Sequence, residues 1–396
     1  MGASRTIYIA GAGIAGLTLA LGLAKFGLSV VVLERNRRIS EFGAGLQISP
    51  NARKVPDRLG LGEAIAQKSF APQGIDIFPD GRDIPLQTLT LGTEIADRFG
   101  APYAVMHRAD LVEILHAAAK RFANIDVVFG VSDIAVQTQG TLSVTASEPD
   151  GKTRRAQPFA FVGADGVRSV TRTGSLGGPE ARYTGKVAWR ALAAPEKLAK
   201  ILDLGRTSLL LGSRFHLVVY PLPHRNAVNL ALFTQELETD LAVLDQRAPR
   251  VNAGGNHRLA ALLDAVGEGW TPWVLSTVTT ETWHKGAVGL IGDAAHAMLP
   301  FQAQGAAMAI EDAAILAPLL AASPGAEHAF ARFAALRQER VRRVQEISRS
   351  NGKIFHMRFP LSLARNAVIG MEGPRGHFRR LDWLYGYDPG EPDRSQ

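Results

Sequence analysis

Gly11-Ala12-Gly13-Ile14-Ala15-Gly16 decides the fold, and it follows the apolar run Thr6 to Ala10 near the start of the 396-residue chain. The apolar run predicts a short buried strand, and the residues from about Ala15 to Lys25 have the pattern of a helix. A second apolar, β-branched run over Ser29–Leu33 predicts another strand. This order of strand, glycine-rich turn, helix and strand predicts a βαβ unit of the Rossmann type.

The glycine spacing in this turn fits a dinucleotide. Gly11 permits the tight turn, Gly13 lets the backbone approach a pyrophosphate, and Gly16 lets the helix pack closely on the strand. The helix start offers free N–H groups to phosphates, and Glu34, after the second strand, can accept hydrogen bonds from ribose hydroxyls. An ordinary glycine-rich turn is the alternative, but it would not require an acid at this distance. The turn alone does not choose between NAD and FAD.

Two further motifs lie much later in the chain, each after a predicted strand. The first is Gly163-Ala164-Asp165-Gly166-Val167-Arg168-Ser169. The second is Gly292-Asp293-Ala294-Ala295-His296, which continues to Pro300 and to Gln304-Gly305. Taken singly, each is equally compatible with an ordinary turn in which the aspartate only caps a helix.

The middle of the chain differs in character from its beginning. Successive β-rich runs with short turns predict a mostly antiparallel sheet, with strands at Lys186–Leu192, Ser208–Leu211, Leu217–Tyr220 and Ala227–Phe233. The predicted fold class is α/β, with a Rossmann-type lobe built from discontinuous segments, interleaved with this sheet lobe and followed by a C-terminal helical region. The first lobe is assigned to residues 1–75, 100–180 and 280–325, the sheet lobe to 76–99 and 181–279, and the helical region with its tail to 326–396.

Composition and charge exclude several classes of function. The chain has no cysteine, so disulfides, thiolate metal sites and cysteine nucleophiles are excluded, and a cytoplasmic location is expected. Much of the net charge of +7 lies between Arg332 and Lys353, where apolar residues recur at helical spacing and predict an amphipathic helix with a solvated basic face. We expect no nucleic-acid partner, no membrane association and no metal, because the chain shows no recognition motif, no uninterrupted span and no histidine–carboxylate spacing typical of a metal site.

In this order and at these separations, the three motifs closely resemble the single-component FAD-dependent aromatic hydroxylases, the class A flavoprotein monooxygenases. Gly45–Asn51, His107–Leu111 and Val187–Arg190 also resemble signatures of that family. The resemblance spans nearly the whole chain and is strongest to the salicylate, 3-hydroxybenzoate and 6-hydroxynicotinate hydroxylases. It implies that the first lobe binds FAD and that the sheet lobe binds substrate.

Carried over position by position, the resemblance implies a set of FAD-binding residues. They are Gly11, Gly13, Gly16, Glu34 and Arg35 for the ADP half, Gln47 and Arg108 along the ribityl and pyrophosphate portion, Asp165 and Asp293 in the later motifs, Pro300 beside the flavin ring, and Gly305 and Ala306 at the start of a helix that faces the ring. Asp165 is also associated with transient NAD(P)H contact. A helix start is suitable there because reduced flavin carries negative charge near N1.

The resemblance also implies a reaction. NADH or NADPH visits and leaves, O2 forms a flavin C4a-hydroperoxide, and this hydroxylates a small phenolic or hydroxy-heteroaromatic substrate that carries a carboxylate. A base near the ring hydroxyl would favour the phenolate, which donates electrons better. The chain is expected to act as a monomer or homodimer.

His216 and Tyr220 are the candidate catalytic residues, because the resemblance to 3-hydroxybenzoate 6-hydroxylase-like enzymes implies His216 as base and Tyr220 as substrate ligand. They lie on one face of a predicted strand, about 13 Å apart along it, so both could line one pocket. A structural histidine and a half-buried tyrosine are the alternative. Trp189 and Phe301 are candidate aromatic walls or plain core, and His296, within the flavin motif, is assigned a structural role.

Two other readings use the same motifs. A halogenase or a prenyl-chain reductase shares the scaffold, but Trp270-Thr271-Pro272-Trp273 does not reproduce the Trp-x-Trp-x-Ile-Pro element typical of the halogenases. A non-catalytic FAD- or nucleotide-binding module is the other reading, and it would not need a helix directed at the flavin ring. Pro56 departs from the family pattern and predicts that the helix after Asn51 is kinked or begins later.

Overall fold

A computed structural model of the protein describes residues 5–39, 45–254 and 256–390. The end of the predicted C-terminal tail, residues 391–396, lies outside these ranges. The strands, in chain order, are β1 Thr6–Ala10, β2 Ser29–Glu34, β3 Gly45–Ile48, β4 Ser69–Phe70, β5 Gly74–Pro79, β6 Gln87–Thr90, β7 Ala104–His107, β8 Ile125–Phe129, β9 Ile134–Gln137, β10 Ser143–Ser147, β11 Thr153–Ala156, β12 Ala160–Gly163, β13 Arg182–Ala193, β14 Thr207–Gly212, β15 Phe215–Leu222, β16 Ala227–Gln235, β17 Thr271–Thr277, β18 His284–Lys285 and β19 Val288–Leu290.

The helices surround these strands and dominate the C-terminal region. They are α1 Ile14–Lys25, α2 Pro50–Arg58, α3 Gly62–Lys68, α4 Gly92–Phe99, α5 Arg108–Ala119, α6 Pro195–Leu198, α7 His257–Val266, α8 Asp293–His296, α9 Gly305–Ala322, α10 Ala326–Phe355 and α11 Leu361–Tyr385. The last of these is interrupted by non-helical backbone at Gly373.

A six-stranded sheet in the order β18-β19-β12-β1-β2-β8 forms the first layer. Its strands pair in parallel except at the edge, where β18 runs antiparallel to β19. Strands from three distant parts of the chain therefore lie side by side. This confirms the prediction of a Rossmann-type unit built from discontinuous segments.

A seven-stranded sheet in the order β17-β13-β16-β15-β14-β5-β6 forms the second layer. Its pairs are antiparallel except that β14 runs parallel to β5. The prediction of a mostly antiparallel sheet is confirmed, and with it the α/β fold class. The chain positions at which the lobes divide stay a prediction.

Helix α9 packs between the helices of the first lobe and the C-terminal helix α10. It is long and apolar enough by composition to cross a membrane, but its residues pack against α1, α2 and α10, so it behaves as a core helix. Most of its side chains, from Ala307 to Leu320, are buried.

Helix α2 differs from the prediction made from Pro56. It begins at Pro50, directly after Ser49, and runs through Pro56 to Arg58. The later start is therefore wrong. Pro50 occupies the first turn of the helix, where the missing N–H of proline is not needed. Pro56 lies only two residues before the helix ends, so it disrupts little of it.

Candidate active site

The glycine-rich turn lies between β1 and α1 and is built for close approach. Gly11 has a φ of +103°, which favours glycine, and the N–H of Ala12 donates to Glu34 Oε2 at 2.8 Å. Gly13 caps α1 without any side-chain hydrogen bond, so the first N–H groups of the helix are left for a ligand. Glu34 is thus tied to the turn while both its oxygens keep further accepting capacity.

The three glycines do different work in this turn. A Cβ at Gly16 would overlap the carbonyl oxygen of Gly11, and one at Gly11 would lie 2.5 Å from the carbonyl oxygen of Ala164. Among the residues that the structure describes, a Cβ at Gly13 would meet nothing within 4 Å. Gly11 and Gly16 therefore serve the packing of the chain on itself, whereas Gly13 borders open space of the kind a pyrophosphate needs.

The second motif packs directly against the first, because Ala164 adjoins Gly11. The carboxylate of Asp165 accepts hydrogen bonds from Ser169 Oγ at 2.5 Å and from both N and Oγ1 of Thr171 at 2.9 Å. The aspartate therefore holds the turn that leads into the π-helical segment Thr171–Ser175. Its additional contact with FAD or NAD(P)H stays a prediction.

The third motif follows β19, and Asp312 of α9 anchors it by hydrogen bonds. Gly292 has a φ of +59°, and its N–H donates to Asp312 Oδ2 at 2.9 Å. His296 Nε2 lies 2.6 Å from the same oxygen, and the buried side chain packs in a way that agrees with the structural role assigned to it. Within residues 5–39, 45–254 and 256–390, the half-buried carboxylate of Asp293 makes no hydrogen bond, so it can accept one from a ligand hydroxyl.

The start of α9 is also open. Gln304 caps the helix without a side-chain bond to its N–H groups, and a Cβ at Gly305 would meet nothing within 4 Å in the described part of the chain. Ala303, just before the cap, has a φ of +54°, a left-handed conformation that turns the chain from Pro300 into the helix. Gly305 and Ala306 are half-buried, as residues beside a ligand would be.

Behind these turns lies a buried ionic cluster that sequence patterns did not predict. Arg337 Nη1 lies 2.6 Å from Glu311 Oε2, and Arg337 Nε lies 2.8 Å from Asp312 Oδ1. Arg340 Nη2 adds a contact of 2.7 Å to Glu311 Oε1. The side chains of Glu311, Asp312 and Arg337 are fully buried. The prediction of a solvated basic face on α10 is therefore wrong at Arg337, which neutralises two acids of α9.

The cluster fixes the charge state of its acids. Burial alone would raise the pKa of Asp312, but the neighbouring His296 and Arg337 outweigh it and lower the pKa to about 2. Burial likewise opposes ionisation of Glu311, yet Arg337 and Arg340 lower its pKa. Both acids are ionised at neutral pH, and the cluster is an ion-paired support for the turn at Gly292.

A chain of side-chain amides connects this cluster to the segment after β3. Asn51 Nδ2 donates to Glu311 Oε1 at 2.7 Å and to Gln304 Oε1 at 3.1 Å. Gln304 Nε2 donates to Ser49 Oγ at 2.9 Å. The acidic pair inside an otherwise apolar helix was the available sequence signal for this network.

Three further residues were predicted to bind the cofactor, Gln47, Arg108 and Arg35. Gln47, on β3, accepts a short hydrogen bond from the hydroxyl of Tyr103 and borders the large cavity described below. Arg108 is the exposed first residue of α5, and Arg35 is exposed directly after β2. Their roles toward FAD stay predictions.

These features together fit a dinucleotide with a flavin ring. The open side of Gly13 and the uncapped start of α1 suit a pyrophosphate, and Glu34 is placed for a ribose. The carboxylate of Asp293 is free to accept a hydrogen bond from a ribityl hydroxyl, and the uncapped start of α9 favours negative charge.

A cavity of about 960 Å³ lies between the seven-stranded sheet and the C-terminal helices. One end is bordered by Pro300, Phe301 and Ala303, which precede α9. The floor consists of side chains from β5, β6, β14 and β15, and the roof consists of residues of α10 and α11. The cavity thus reaches from the predicted flavin ring into the predicted substrate lobe.

His216 lines this cavity within a cage of aromatic rings. Its ring stacks on Phe233 with 4.5 Å between centroids and meets Phe301 edge-on at 4.9 Å and Phe355 at 5.2 Å. Phe301 therefore lines the cavity and packs against the candidate base, and its contact with substrate stays a prediction.

The imidazole of His216 is oriented by a second histidine. Its Nδ1 lies 2.8 Å from Nε2 of His356, the residue directly after α10. Burial, His356 and Lys186 hold the pKa of His216 well below its usual range, and burial with Lys186 and Arg365 lowers the pKa of His356 to about 3. Both rings are therefore neutral at pH 7. If Nδ1–H of His216 donates to His356, its Nε2 carries the lone pair that a base needs.

Tyr220 does not share the pocket of His216 in this structure. It is buried, it is not among the residues that line the cavity, and its hydroxyl lies so close to Gly45 that a Cβ there would overlap it. Burial raises the pKa of Tyr220, although Arg190 opposes the shift, so its hydroxyl stays protonated. The alternation of the strand was predicted correctly, but Gly45, the first residue of β3, packs against the Tyr220 end. A contact of Tyr220 with substrate stays a prediction.

Trp189 lies on the opposite face of the sheet. It is fully buried in the core with Val187 and Ala191, and its Nε1 donates to Thr234 Oγ1 at 2.8 Å. Its neighbour Ala188 is the residue that packs with Phe301. Of the two alternatives for Trp189, aromatic wall or plain core, the structure favours the core, and strand alternation directs its neighbour Ala188 toward Phe301.

Comparison with known proteins places these features in a family. A family described as "FAD binding domain" matches residues 4–350. The chain is 33% identical over 387 residues to 3-hydroxybenzoate 6-hydroxylase 1 of Aquipseudomonas alcaligenes, covering 96% of this chain and 97% of that protein. It is 32% identical over 402 residues to 3-amino-4-hydroxybenzoate 2-monooxygenase PtnB3 of Streptomyces platensis, covering 96% of each.

Solved structures share the fold along the whole chain. Klebsiella pneumoniae HpxO complexed with FAD and uric acid superposes with a TM-score of 0.83 at 22% identity, covering 96% of each chain. A salicylate hydroxylase substrate complex superposes with a TM-score of 0.77 at 24% identity, covering 98% of this chain and 97% of the other. The chain belongs to the FAD binding domain family, among the FAD-dependent aromatic hydroxylases, as its three motifs predict.

Proposed function

We propose that the protein uses NADH or NADPH and O2 to hydroxylate a small hydroxy-aromatic acid. The observation that carries the proposal is the position of His216, on the wall of the cavity that begins at Pro300, with its ring fixed by His356. The relatives with named activities, such as 3-hydroxybenzoate 6-hydroxylase, support a hydroxybenzoate-like substrate. A cytoplasmic location and a monomeric or homodimeric state stay predictions.

The chain's own residues would hold FAD between the glycine turn and the start of α9. Gly13 and Glu34 would meet the ADP half, Asp293 the ribityl chain, and Pro300 with Gly305 the ring. Bound FAD would take electrons from NAD(P)H and use them to activate O2. The protein's part is to bind, orient and shield the substrate.

His216 would accept a hydrogen bond, and then the proton, from the ring hydroxyl of the substrate. Its low pKa keeps Nε2 free to accept at neutral pH, and a phenolate formed beside it would favour the imidazolium and raise that pKa again. Lys186, with its Nζ 5.9 Å from the centre of the Phe301 ring, adds positive charge that favours the phenolate. His356 would share the proton through the bond to Nδ1.

The aromatic cage would exclude water from the reacting ring. Phe233, Phe301 and Phe355 surround His216, so a substrate ring at Nε2 would lie among apolar side chains. A dry site strengthens the electrostatic interactions within it and protects a reactive oxygen species from side reactions.

The test is the rate of flavin reduction with and without candidate substrates. Purified protein reconstituted with FAD is mixed anaerobically with NADH or NADPH, alone and with salicylate, 3-hydroxybenzoate, 6-hydroxynicotinate or benzoate. We expect a hydroxylated ring acid to accelerate reduction, and benzoate, which has no ring hydroxyl, to give no product when O2 is admitted. Reduction that is equally fast with every compound, followed by no hydroxylated product, would contradict the proposal.

A further inference from the structure

The large cavity extends much farther along the sheet than a single aromatic ring requires. At about 960 Å³ it lies near the upper end of the range of roughly 300–1,000 Å³ typical of pockets for drug-sized ligands. The part beside His216 and Pro300 serves the proposed reaction. The rest lies over β14, β5 and β6.

The floor of that second part is a continuous apolar surface. Val218 of β15 pairs with Leu209 of β14, and Leu209 pairs in turn with Ile77 of β5. In the next row, Ile75 of β5 pairs with Leu89 of β6. All five side chains line the cavity. We call this surface, from Val218 across to Leu89, the apolar slot.

The slot is open space and not close-packed core. Four of the five slot side chains, Leu209, Val218, Ile75 and Leu89, are only half-buried, and Ile77 is buried between them; Leu210, the next residue on β14, is buried in the core on the opposite face. Protein interiors are normally close-packed, and unfilled apolar cavities destabilise them. An open apolar surface continuous with the reaction site is therefore matched to an apolar ligand group.

The far end of the slot carries one hydroxyl without a partner. Thr207 lines the cavity, and its Oγ1 is buried with no hydrogen-bond partner among the residues that the structure describes. Leu211 pairs with His216, and Thr207 lies four residues farther along β14, so the two polar side chains are separated by about 14 Å. A buried hydroxyl is normally bonded, so a ligand that reaches Thr207 would supply the missing acceptor.

We propose that the substrate is a hydroxy-aromatic acid extended by an apolar group, either a fused second ring or an alkyl chain, that lies in the apolar slot. The extension lies over Leu209 and Ile77, and only a chain long enough to reach Thr207 that also ends in a hydrogen-bond acceptor would bond the Thr207 hydroxyl. This inference rests on the proposed function, because His216 must hold the hydroxylated ring at the other end. It goes beyond that function by excluding single-ring acids as the preferred substrates.

The first test compares ligands on the FAD-loaded wild-type protein. Salicylate is compared with a hydroxynaphthoate and with an alkylated salicylate, both by the dissociation constant from the change in flavin absorbance and by kcat/KM. We expect at least about tenfold tighter binding of the extended acids, since each buried methylene contributes about fourfold. Turnover of salicylate without any gain from extension would overturn the slot and leave the proposed function intact. If none of the ring acids promotes turnover, the proposed function itself is contradicted.

The second test fills the slot with a larger side chain. Leu209→Trp should lower the affinity for the extended acid, relative to the affinity for salicylate, by at least about tenfold. Leu192→Trp on β13, where Leu192 is 49% exposed and outside the cavity, is the matched control and should leave the ratio unchanged. FAD content and melting temperature report whether each variant folds. An unchanged ratio in a folded, FAD-loaded Leu209→Trp protein would overturn the inference, and the wild-type comparison decides it if that variant does not fold.

Discussion

Nδ1 of His216 and Nε2 of His356 lie 2.8 Å apart, so a histidine of the central sheet is oriented by one that follows the long helix α10. The base of the proposed reaction therefore depends on two distant parts of the chain. Because its Nδ1 is engaged, only Nε2 of His216 is left for the substrate.

Replacing His216 with alanine should abolish hydroxylation without loss of FAD. The ring contacts the cavity and not the glycine turns, so cofactor content should stay at the wild-type level. A positioned base contributes about 100-fold to 10,000-fold, and product formation should fall by at least the lower figure. Product per NAD(P)H consumed is the measurement, and full coupling in the variant would refute the role of His216.

Replacing His356 with asparagine should change both the pH profile and the acid stability. Burial keeps the pKa of His356 near 3, below the value of about 6.5 in an unfolded chain, so the unfolded state binds the proton first as the pH falls. The wild type should lose stability from about pH 6.5 downward to about pH 3, and the variant should lose less.

Two measurements check this prediction. Chemical unfolding at several values between pH 7 and pH 4 gives the slope of the free energy of unfolding against pH for the wild type and the variant. The pH dependence of kcat shows whether His216 titrates differently without its partner. If the free energy of unfolding depends on pH equally in both proteins, and the kcat profiles are identical, His216 and His356 are not energetically coupled.

Replacing Arg337 with methionine should destabilise the protein strongly. The change leaves Glu311 and Asp312 buried without their shared cation, and breaking a buried ion pair typically costs about 3–5 kcal/mol. Arg342→Met on the same helix is the control, because Arg342 is exposed and its surface pair with Glu339 contributes less than about 1 kcal/mol. The free energy of unfolding by urea is compared, and equal losses for the two variants would contradict the buried cluster.

Gly13 and Gly16 should respond differently to the same substitution. Gly13→Ala places its methyl group in open space, so the chain should fold but bind FAD at least about tenfold more weakly, because the backbone can no longer approach the pyrophosphate. Gly16→Ala overlaps the Gly11 carbonyl and should lower the melting temperature of the apoprotein. Circular dichroism and FAD titration separate the two effects, and normal FAD affinity in Gly13→Ala would argue against a pyrophosphate at this turn.

Local patterns predicted the fold because they depend on neighbouring residues. The glycines from Gly11 to Gly16 and the aspartates Asp165 and Asp293 each follow a strand directly, so turn chemistry is visible in a few consecutive letters. The antiparallel strands around His216 were visible for the same reason.

The contacts that complete the site join residues far apart in sequence. Alternation along β13 could not show which face meets the cavity, so Trp189 stayed open between aromatic wall and plain core, and Ala188 was overlooked. Arg337 was counted as solvated because helical spacing does not show that α9 presents two acids to it. His356 gave no local signal, since only the return of the chain after α10 brings it to His216.

The central claim is tested most directly by measuring how much hydroxylated product forms for each NAD(P)H consumed. FAD-loaded protein is given NADH or NADPH, O2 and a panel of hydroxybenzoates, hydroxypyridines and hydroxynaphthoates, and the hydroxylated product is measured by mass spectrometry with labelled O2. The account predicts that a hydroxy-aromatic acid from the panel accelerates NAD(P)H use and gains one labelled oxygen atom per NAD(P)H consumed. An FAD-loaded protein whose NAD(P)H and O2 consumption no aromatic acid stimulates, and which forms no labelled product, would contradict it.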